Sequence, residues 1–309
     1  MILCLGTTPA VQRVMIFRKL TLDAVNRAVR TLDGVAGKSI NVAKVLHALG
    51  EHPVATGFLG GDRGEYVRAA LEARGIELDC VKVTAGTRQC VTVIDESAGS
   101  ITELVEESSH VEAADFERLL EIIRRRVQAS RAFIMSGTIA PGGPVDLYAH
   151  CVRLAHEAGA LSVVDAQGAP LSEALKAGPD LVKPNKTELA ATMGRELKGD
   201  TDVMRAAREL SERGAKRVIV TAGKEPALAF DGRTFWRVVT PRIVSVNSIG
   251  SGDAFTAGLV WRLGRGEDLG EACRWASATG AANALTPLAG EVNREDVERL
   301  VREVKVERI

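Results

Sequence analysis

The stretch Val246-Asn247-Ser248-Ile249-Gly250-Ser251-Gly252-Asp253-Ala254-Phe255 is the most informative part of this chain. The apolar run 243–246 before it predicts a short β-strand. A helix over 253–263 is predicted after it, with apolar residues at helical spacing at Phe255, Leu259 and Leu263 and with Gly264 as C-cap. A glycine turn before a helix directs free backbone N–H groups to one point, where the helix dipole adds positive charge. The stretch therefore predicts an anion site in an α/β fold.

Asp253 lies in the first turn of the predicted helix, beside this anion site. A carboxylate there disfavours simple phosphate binding, because the negative charges repel each other. The combination suits a reaction in which the carboxylate takes a proton from a nucleophile while the glycine turn stabilises a transferred phosphoryl group. An ordinary turn with an acidic first-turn residue is the simpler alternative, and the rest of the chain must decide between the two.

Length, composition and charge limit the other functional classes. A chain of 309 residues with 46% hydrophobic content fits one large α/β domain with an appendage. The 40 basic and 40 acidic residues balance, which gives no support to a nucleic-acid or anionic-membrane surface. The five cysteines form no CxxC pair, and the N-terminus lacks a signal-peptide pattern, so a cytoplasmic protein is expected.

From about residue 131 the chain alternates between strand and helix patterns, as a parallel sheet with crossover helices requires. Strands are predicted at 132–135, 161–164, 181–182 and 217–220, and a hairpin at 227–230 and 234–239. Helices are predicted at 144–158, 170–177, 185–193, 202–213, 253–263, 269–284 and 294–304.

The first third of the chain has a different organisation. Helices at 40–49 and 65–73 surround a strand at 54–58, whereas strands at 15–17, 27–32, 91–94 and 101–105 have no helix directly between partners. This pattern predicts one domain over 1–309 with a small β-sheet lid inserted from about 9–33 and 87–106.

The segment 34–39 resembles a phosphate loop, but it lacks the first glycine of the Gly-x4-Gly-Lys-Ser/Thr pattern because position 32 is leucine. A nucleotide P-loop is therefore disfavoured. Gly37, Lys38 and Asn41 still stand at a helix start, where backbone amides, an ammonium and a side-chain amide suit a phosphorylated, hydroxylated substrate. A plain helix start with Ser39 near its N-cap explains the same residues equally well.

Other polar residues follow predicted strands. Arg88 could clamp a phosphate or be a solvated surface charge, and Ser136 ends a strand at the edge where ligands of α/β sheets bind. Asn185 and Glu188 have the spacing of a helix capping box, and Glu188 could also hold Mg²⁺ through water. Thr221-Ala-Gly223 ends a further strand, where it could border a nucleotide.

Taken together and in order, these motifs resemble the ribokinase-like sugar kinases of the phosphofructokinase-B family, over essentially the whole chain. The phosphosugar branch, with 1-phosphofructokinase and tagatose-6-phosphate kinase, is indicated by further short motifs: Val25-Asn-Arg27, Gly57-Phe-Leu-Gly-Gly61, Thr87-Arg88-Gln-Cys90 and Lys183-Pro-Asn185. The resemblance implies a doubly wound, mostly parallel sheet with helices on both faces, a β-sheet lid through which two copies can form a homodimer, and ATP with Mg²⁺.

The resemblance also implies roles for individual residues. Asp253 would be the general base, and Gly250, Ser251 and Gly252 the anion hole. The sugar phosphate would contact Gln12, Gly37, Lys38, Asn41, Arg88, Ser136 and Asp253. ATP would be bordered by Lys183, Asn185, Thr221, Gly223, Gly252 and Asn283, and Glu188 would organise Mg²⁺.

The sequence departs from the family on the acceptor side. The family's Asn-Pro-x-x-Asp pattern is replaced by Thr8-Pro-Ala-Val-Gln12, and its Gly-Gly-Lys-Gly loop by Ala36-Gly-Lys-Ser39. Gln12 can still donate and accept hydrogen bonds, but it cannot act as an ionic acceptor for two hydroxyls. Because the donor and catalytic residues are intact, this pattern indicates an altered substrate rather than lost activity.

The sequence therefore predicts an ATP-dependent kinase acting on a hydroxyl of a phosphorylated ketohexose of the tagatose-6-phosphate or fructose-1-phosphate type. One alternative is a kinase for a different or unphosphorylated sugar. Another, motivated by Gln12 and Ser39, is a catalytically idle sensor of sugar phosphate or nucleotide on the same fold. No nucleic-acid or membrane partner is expected.

Overall fold

The computed structural model describes residues 1–309 and contains a large, mostly parallel β-sheet. Its strands follow the order β15-β14-β13-β12-β11-β10-β9-β1-β4-β5, with β6 also paired to β4. The strands from β12 through β15 pair antiparallel at one edge, and the rest pair parallel. Their bounds are β1 Ile2–Gly6, β4 Pro53–Leu59, β5 Glu77–Leu78, β6 Val81–Lys82, β9 Ala132–Ser136, β10 Leu161–Asp165, β11 Leu181–Val182, β12 Val218–Ala222, β13 Glu225–Phe230, β14 Phe235–Val239 and β15 Lys305–Arg308.

Helices cover both faces of this sheet. The core on one face includes residues of α3, α4, α5 and α7, and the core on the other includes residues of α1, α2, α8, α9 and α10. The helix bounds are α1 Lys38–Ala48, α2 Gly61–Glu72, α3 Ala113–Val127, α4 Leu147–Glu157, α5 Gly168–Leu175, α6 Lys186–Met193, α7 Gly199–Glu212, α8 Ser251–Leu263, α9 Leu269–Ala284 and α10 Arg294–Leu300. This is the predicted doubly wound α/β architecture.

The central strands are apolar on both faces because helices cover both sides of the sheet. In β1, Leu3 and Leu5 belong to one core, whereas Ile2 and Cys4 belong to the other. This alternation follows from the two-residue period of a strand. The carboxyl ends of the parallel strands are thereby left as a common edge, and polar residues collect there.

A separate sheet of four strands stands beside the main sheet, in the order β3-β2-β7-β8. Its strands are β2 Ala10–Phe17, β3 Arg30–Ala36, β7 Arg88–Asp95 and β8 Ser100–Val105. We refer to this small sheet as the lid; its strand β3 continues to Ala36, past the expected bound at residue 33. The central pair β2–β7 is parallel and opposes Ala10 to Arg88, so the lid brings two distant insertions together.

Some predicted elements differ from the structure. The segment 243–246 is not a strand: Val244 is 90% exposed, and the segment pairs with no strand of the sheet. The last helix ends at Leu300, not at 304, because the chain turns and adds β15 to the sheet edge. The short strands β5, β6 and β15 were not predicted, since they carry too few residues to show a period. Helix α3 was also missed, although Phe116, Leu119, Leu120, Ile123 and Val127 give it an apolar face at helical spacing.

No helix of the chain is both long enough and apolar enough to cross a membrane.

Candidate active site

The glycine turn before α8 has the geometry that an anion site requires. Gly250 is the N-cap of α8 and has a φ of 82°, in the left-handed region that favours glycine. A Cβ at this position would lie 2.9 Å from the Cβ of Ala289 and from the backbone nitrogen of Gly290. The first N–H groups of a helix have no acceptor within the helix. Here the N–H of Ser251 donates to the carbonyl oxygen of Ser248 at 3.2 Å, and those of Gly252 and Asp253 are left for an anion.

Asp253 is buried in the first turn of α8, beside this anion turn. Its Oδ2 accepts a hydrogen bond of 2.7 Å from Nδ2 of Asn41. Burial raises the pKa of Asp253 to about 6, although the positive charge of Lys38 opposes that increase. A carboxylate with this pKa is ionised at neutral pH and can take up a proton during a reaction.

Asp165, at the carboxyl end of β10, is the centre of the charge network, and sequence reasoning missed it. Its carboxylate is fully buried and pairs with Nζ of Lys38 and Nζ of Lys183, each at 3.0 Å, and accepts a hydrogen bond from Thr256. Burial opposes ionisation, yet the charges of Lys183 and Lys38 lower the pKa of Asp165 to about 2. An acidic residue at the end of a buried parallel strand was the available signal.

Glu188 forms the predicted capping box at the start of α6. Its Oε2 accepts from the backbone N–H of Asn185, whose side chain accepts from the backbone N–H of Glu188. Its Oε1 lies 3.2 Å from Nζ of Lys38. The capping box is confirmed, and the role of Glu188 in holding Mg²⁺ stays a prediction.

Lys38 therefore lies between two carboxylates, those of Asp165 and Glu188, and is not a free cation on the acceptor side. Burial opposes its charge, but Asp165, Asp253 and Glu188 raise its pKa. The ammonium lies between these carboxylates because their negative potential attracts a cation. Glu188, the less buried of the two carboxylates, is the residue that would hold Mg²⁺ brought in with nucleotide phosphates, because Mg²⁺ binds one or two carboxylates and completes its shell with phosphates and water.

Three of the predicted acceptor residues keep buried polar atoms without hydrogen-bond partners: Oδ1 of Asn41, Nε of Arg88 and Oγ of Ser136. Buried polar groups are normally paired, so unpaired ones in a cleft are available to a ligand. The other nitrogens of Arg88 donate to the carbonyl oxygens of Thr8 and Glu106, each at 3.2 Å. Gly37 lies nearby with a φ of 115°, and a Cβ there would be 2.9 Å from Cα of Pro9.

Gln12 is wholly buried in β2, with both ends of its amide already engaged. Its Nε2 donates to Oγ1 of Thr92 at 3.3 Å, and its Oε1 accepts from the backbone N–H of Ala289 at 3.2 Å. The structure thus gives Gln12 a role in joining the lid to the segment 286–291, and its contact with a sugar stays a prediction.

A cavity of about 1240 Å³ opens on the other side of the anion turn. Four of the predicted nucleotide residues line it: Asn185, Thr221, Gly223 and Gly252. Sequence reasoning missed its walls from α8 and α9, which include Phe255, Ser277, Ala281 and Ala284, because small apolar residues on helices give no signal of a site.

The other two predicted nucleotide residues lie behind this cavity rather than in its wall. Lys183 is buried with Asp165, and a Cβ on Gly252 would be 3.8 Å from its Nζ. Asn283 is wholly buried and donates to the carbonyl oxygen of Ile249 at 2.9 Å, while its Oδ1 accepts from the backbone N–H of Gly290. Asn283 therefore supports the anion turn from behind.

Comparison with known proteins agrees with this architecture. The chain matches the family described as pfkB family carbohydrate kinase over residues 1–296. It is 32% identical to a tagatose-6-phosphate kinase of Staphylococcus epidermidis, with 99% of each chain covered. Its fold is similar to that of phosphofructokinase-2 from Escherichia coli, with a TM-score of 0.88 and 28% identity. The match covers 97% of this chain and 98% of the E. coli chain. It is also similar to a Thermotoga maritima protein described as a possible 1-phosphofructokinase, with a TM-score of 0.91 and 25% identity. That match covers 100% of this chain and 99% of the T. maritima chain.

Proposed function

Because the chain belongs to the pfkB family of carbohydrate kinases, we propose that it transfers the γ-phosphoryl group of ATP to a hydroxyl of a phosphorylated ketohexose. An ATP-dependent sugar kinase is what the family establishes; the phosphorylated acceptor and the residue roles are the proposal. The S. epidermidis relative is named for tagatose 6-phosphate, which supports an acceptor of this class.

The observation that carries the proposal is the buried carboxylate of Asp253 beside the anion turn. It is held by Asn41, next to the unpaired N–H groups at the start of α8. The unpaired atoms of Asn41, Arg88 and Ser136 support an acceptor site there, because buried polar atoms without partners are available to a ligand. The cavity lined by Gly252 and Thr221 supports a donor site. The arrangement supports direct transfer between two ligands across Asp253.

In the proposed reaction, Asp253 accepts the proton of the acceptor hydroxyl as that oxygen attacks the γ-phosphorus. A new O–P bond forms, and the bond from the γ-phosphorus to the β–γ bridging oxygen breaks, which releases ADP. The N–H groups of the turn stabilise the charge on the transferring group. Mg²⁺, held near Glu188, would neutralise part of the nucleotide's phosphate charge.

An acceptor screen tests this function. ADP release is measured with tagatose 6-phosphate, fructose 6-phosphate, fructose 1-phosphate and the free sugars, for the wild type and for Asp253→Asn. We expect turnover only with phosphorylated ketohexoses, and a loss of about 10³-fold or more in Asp253→Asn with ATP binding retained. Turnover confined to free sugars would contradict the phosphorylated acceptor.

The second candidate is a sensor without turnover, and the engaged amide of Gln12 is the observation that favours it. The same screen separates the two functions when it is combined with calorimetric titration. Binding of a sugar phosphate by the wild type without ADP release from any acceptor would favour the sensor.

We further propose that two copies associate through their lids. The lid carries apolar residues that are open to solvent, among them Leu22 at 87%, Val29 at 53% and Leu104 at 56% exposure. Strand β8 is one of the two edge strands of the small sheet, and exposed edges and apolar patches favour pairing with another chain.

A further inference from the structure

Lys44 is a buried lysine of α1 that the reaction described above does not use. It is only 3% exposed. Its Nζ donates to the carbonyl oxygen of Ala289 at 2.6 Å and to that of Val35 at 2.9 Å, and it lies 3.3 Å from a carboxylate oxygen of Glu291. Because a buried ammonium is costly unless it is paired and hydrogen-bonded, all three partners are needed to keep it charged.

The segment that Lys44 holds is the 286–291 loop, which connects α9 to the start of α10. This loop packs directly against two elements of the site. A Cβ on Gly250 would lie 2.9 Å from the Cβ of Ala289, and a Cβ on Gly290 would lie 2.7 Å from the Cα of Asn41. The anion turn and Asn41, which donates to Asp253, are therefore tightly packed against this loop.

Lys44 also connects this loop to the lid. Val35 is in β3, close to the end of that lid strand, and Gln12 of β2 accepts from the backbone N–H of Ala289. One ammonium thus joins the core helix, the lid strand and the loop behind the anion turn. Both hydrogen bonds of Lys44 are to backbone oxygens, so they depend on the lysine and not on the identity of the contacted side chains.

We propose that Lys44 is a positioning residue for phosphoryl transfer: its ammonium holds the 286–291 loop against Gly250 and Asn41 without touching a substrate. The inference rests on the proposed function, because it concerns the geometry of that reaction. A shift of about 1 Å in groups that align a transfer can cost ~10²-fold in rate. The expected effect of loosening the loop is therefore on kcat, with the KM for ATP little changed.

The charges around Lys44 make this role dependent on pH. Burial lowers the pKa of Lys44 to about 8, and the charge of Arg74 lowers it further, whereas Glu291 and Asp253 oppose that decrease. Glu291 is also bound by Arg74 at 2.6 Å. Above about pH 8 the amine loses its charge and one donor, so its hold on the loop weakens and kcat is expected to decrease.

Two neighbouring substitutions test this with opposite expected shifts. Glu291→Gln removes the charge that raises the pKa of Lys44, so the alkaline decrease in kcat moves to lower pH. Arg74→Gln removes the charge that lowers it, so the decrease moves to higher pH. Each shift is expected to be about 0.5–1 pH unit, and neither residue touches a substrate. The kcat of the full chain is measured between about pH 6.5 and 9.5, with the unfolding temperature recorded at each pH.

Lys44→Met removes the charge directly, and Lys216→Met, at a lysine on the surface that pairs with Asp180, is its matched control. We expect Lys44→Met to lose ~10-fold or more in kcat with the KM for ATP within about twofold, and the control to be unchanged. If Lys44→Met does not fold, the shifts of the alkaline decrease in the Glu291→Gln and Arg74→Gln variants test the inference.

The inference is overturned by a kcat that stays constant to about pH 9.5 in the wild type, or by shifts of the same sign in both neighbouring variants. A wild type that turns over no acceptor would overturn the proposed function and this inference together. Turnover with a flat alkaline profile would overturn this inference alone.

Discussion

At the scale of single residues, the acid–base behaviour of Asp253 gives a prediction about pH. The base must be ionised to accept a proton, and burial raises its pKa to about 6. We therefore expect kcat/KM to increase with pH through a midpoint near 6 and to reach a plateau below the alkaline decrease expected from Lys44 above about pH 8. An acid limb with its midpoint near 4, the ordinary range of an aspartate, would contradict the burial of this carboxylate.

The unpaired hydroxyl of Ser136 gives a second prediction at this scale. Removing it by Ser136→Ala leaves no partner unsatisfied, so the free energy of unfolding is expected to change by less than about 0.5 kcal/mol while the acceptor KM increases ~10-fold.

Ser162 is the matched control, because its buried hydroxyl is engaged with both the carboxylate and the backbone N–H of Asp180 at 2.9 Å. Ser162→Ala is expected to destabilise by about 1–3 kcal/mol without affecting the acceptor KM. Urea unfolding and acceptor titration measure both quantities, and an unchanged acceptor KM in Ser136→Ala would remove Ser136 from the acceptor site.

At the scale of elements, the close packing of α8 on α9 gives a prediction about stability. A Cβ on Gly258 would lie 2.5 Å from Oγ1 of Thr279 and 3.0 Å from Cα of Ala276. Gly258→Ala is therefore expected to cost about 1–3 kcal/mol of unfolding free energy by forcing the helices apart. Gly86→Ala is the control, since a Cβ there meets nothing within 4 Å, and equal stabilities of the two variants would contradict the packing.

At the scale of the whole molecule, the exposed lid gives a prediction about assembly. Leu104→Lys places a charge on the exposed edge strand of the lid, and Val145→Lys places one at an apolar residue of the body with similar exposure, 47% against 56%. In sedimentation velocity we expect the wild type and Val145→Lys to be dimers and Leu104→Lys to be a monomer. A dimer that survives Leu104→Lys would place the interface elsewhere.

The architecture was largely predictable because helix and strand periods are local properties. The α/β alternation after residue 131 and the four lid strands follow from apolar spacing, and the capping box of Asn185 and Glu188 follows from a four-residue pattern. The prediction of a strand over 243–246 was wrong, because an apolar segment does not form a strand without a partner to pair with. The short strands were missed for the opposite reason: pairing with neighbouring strands stabilises them, and their local sequence shows no strand pattern.

What the sequence determined by itself is the list of groups that can do chemistry: the Gly250–Gly252 turn, Asp253 after it, and the polar residues at strand ends. Only the tertiary structure decided how they are paired. Asp165 binds Lys38 across 127 positions of sequence, and Lys44 reaches Ala289 across 245. Ionisation and hydrogen bonding depend on distance and burial in space, which local pattern does not carry. The pKa of Asp253, the engaged amide of Gln12 and the buried ammonium of Lys44 are therefore properties of the fold.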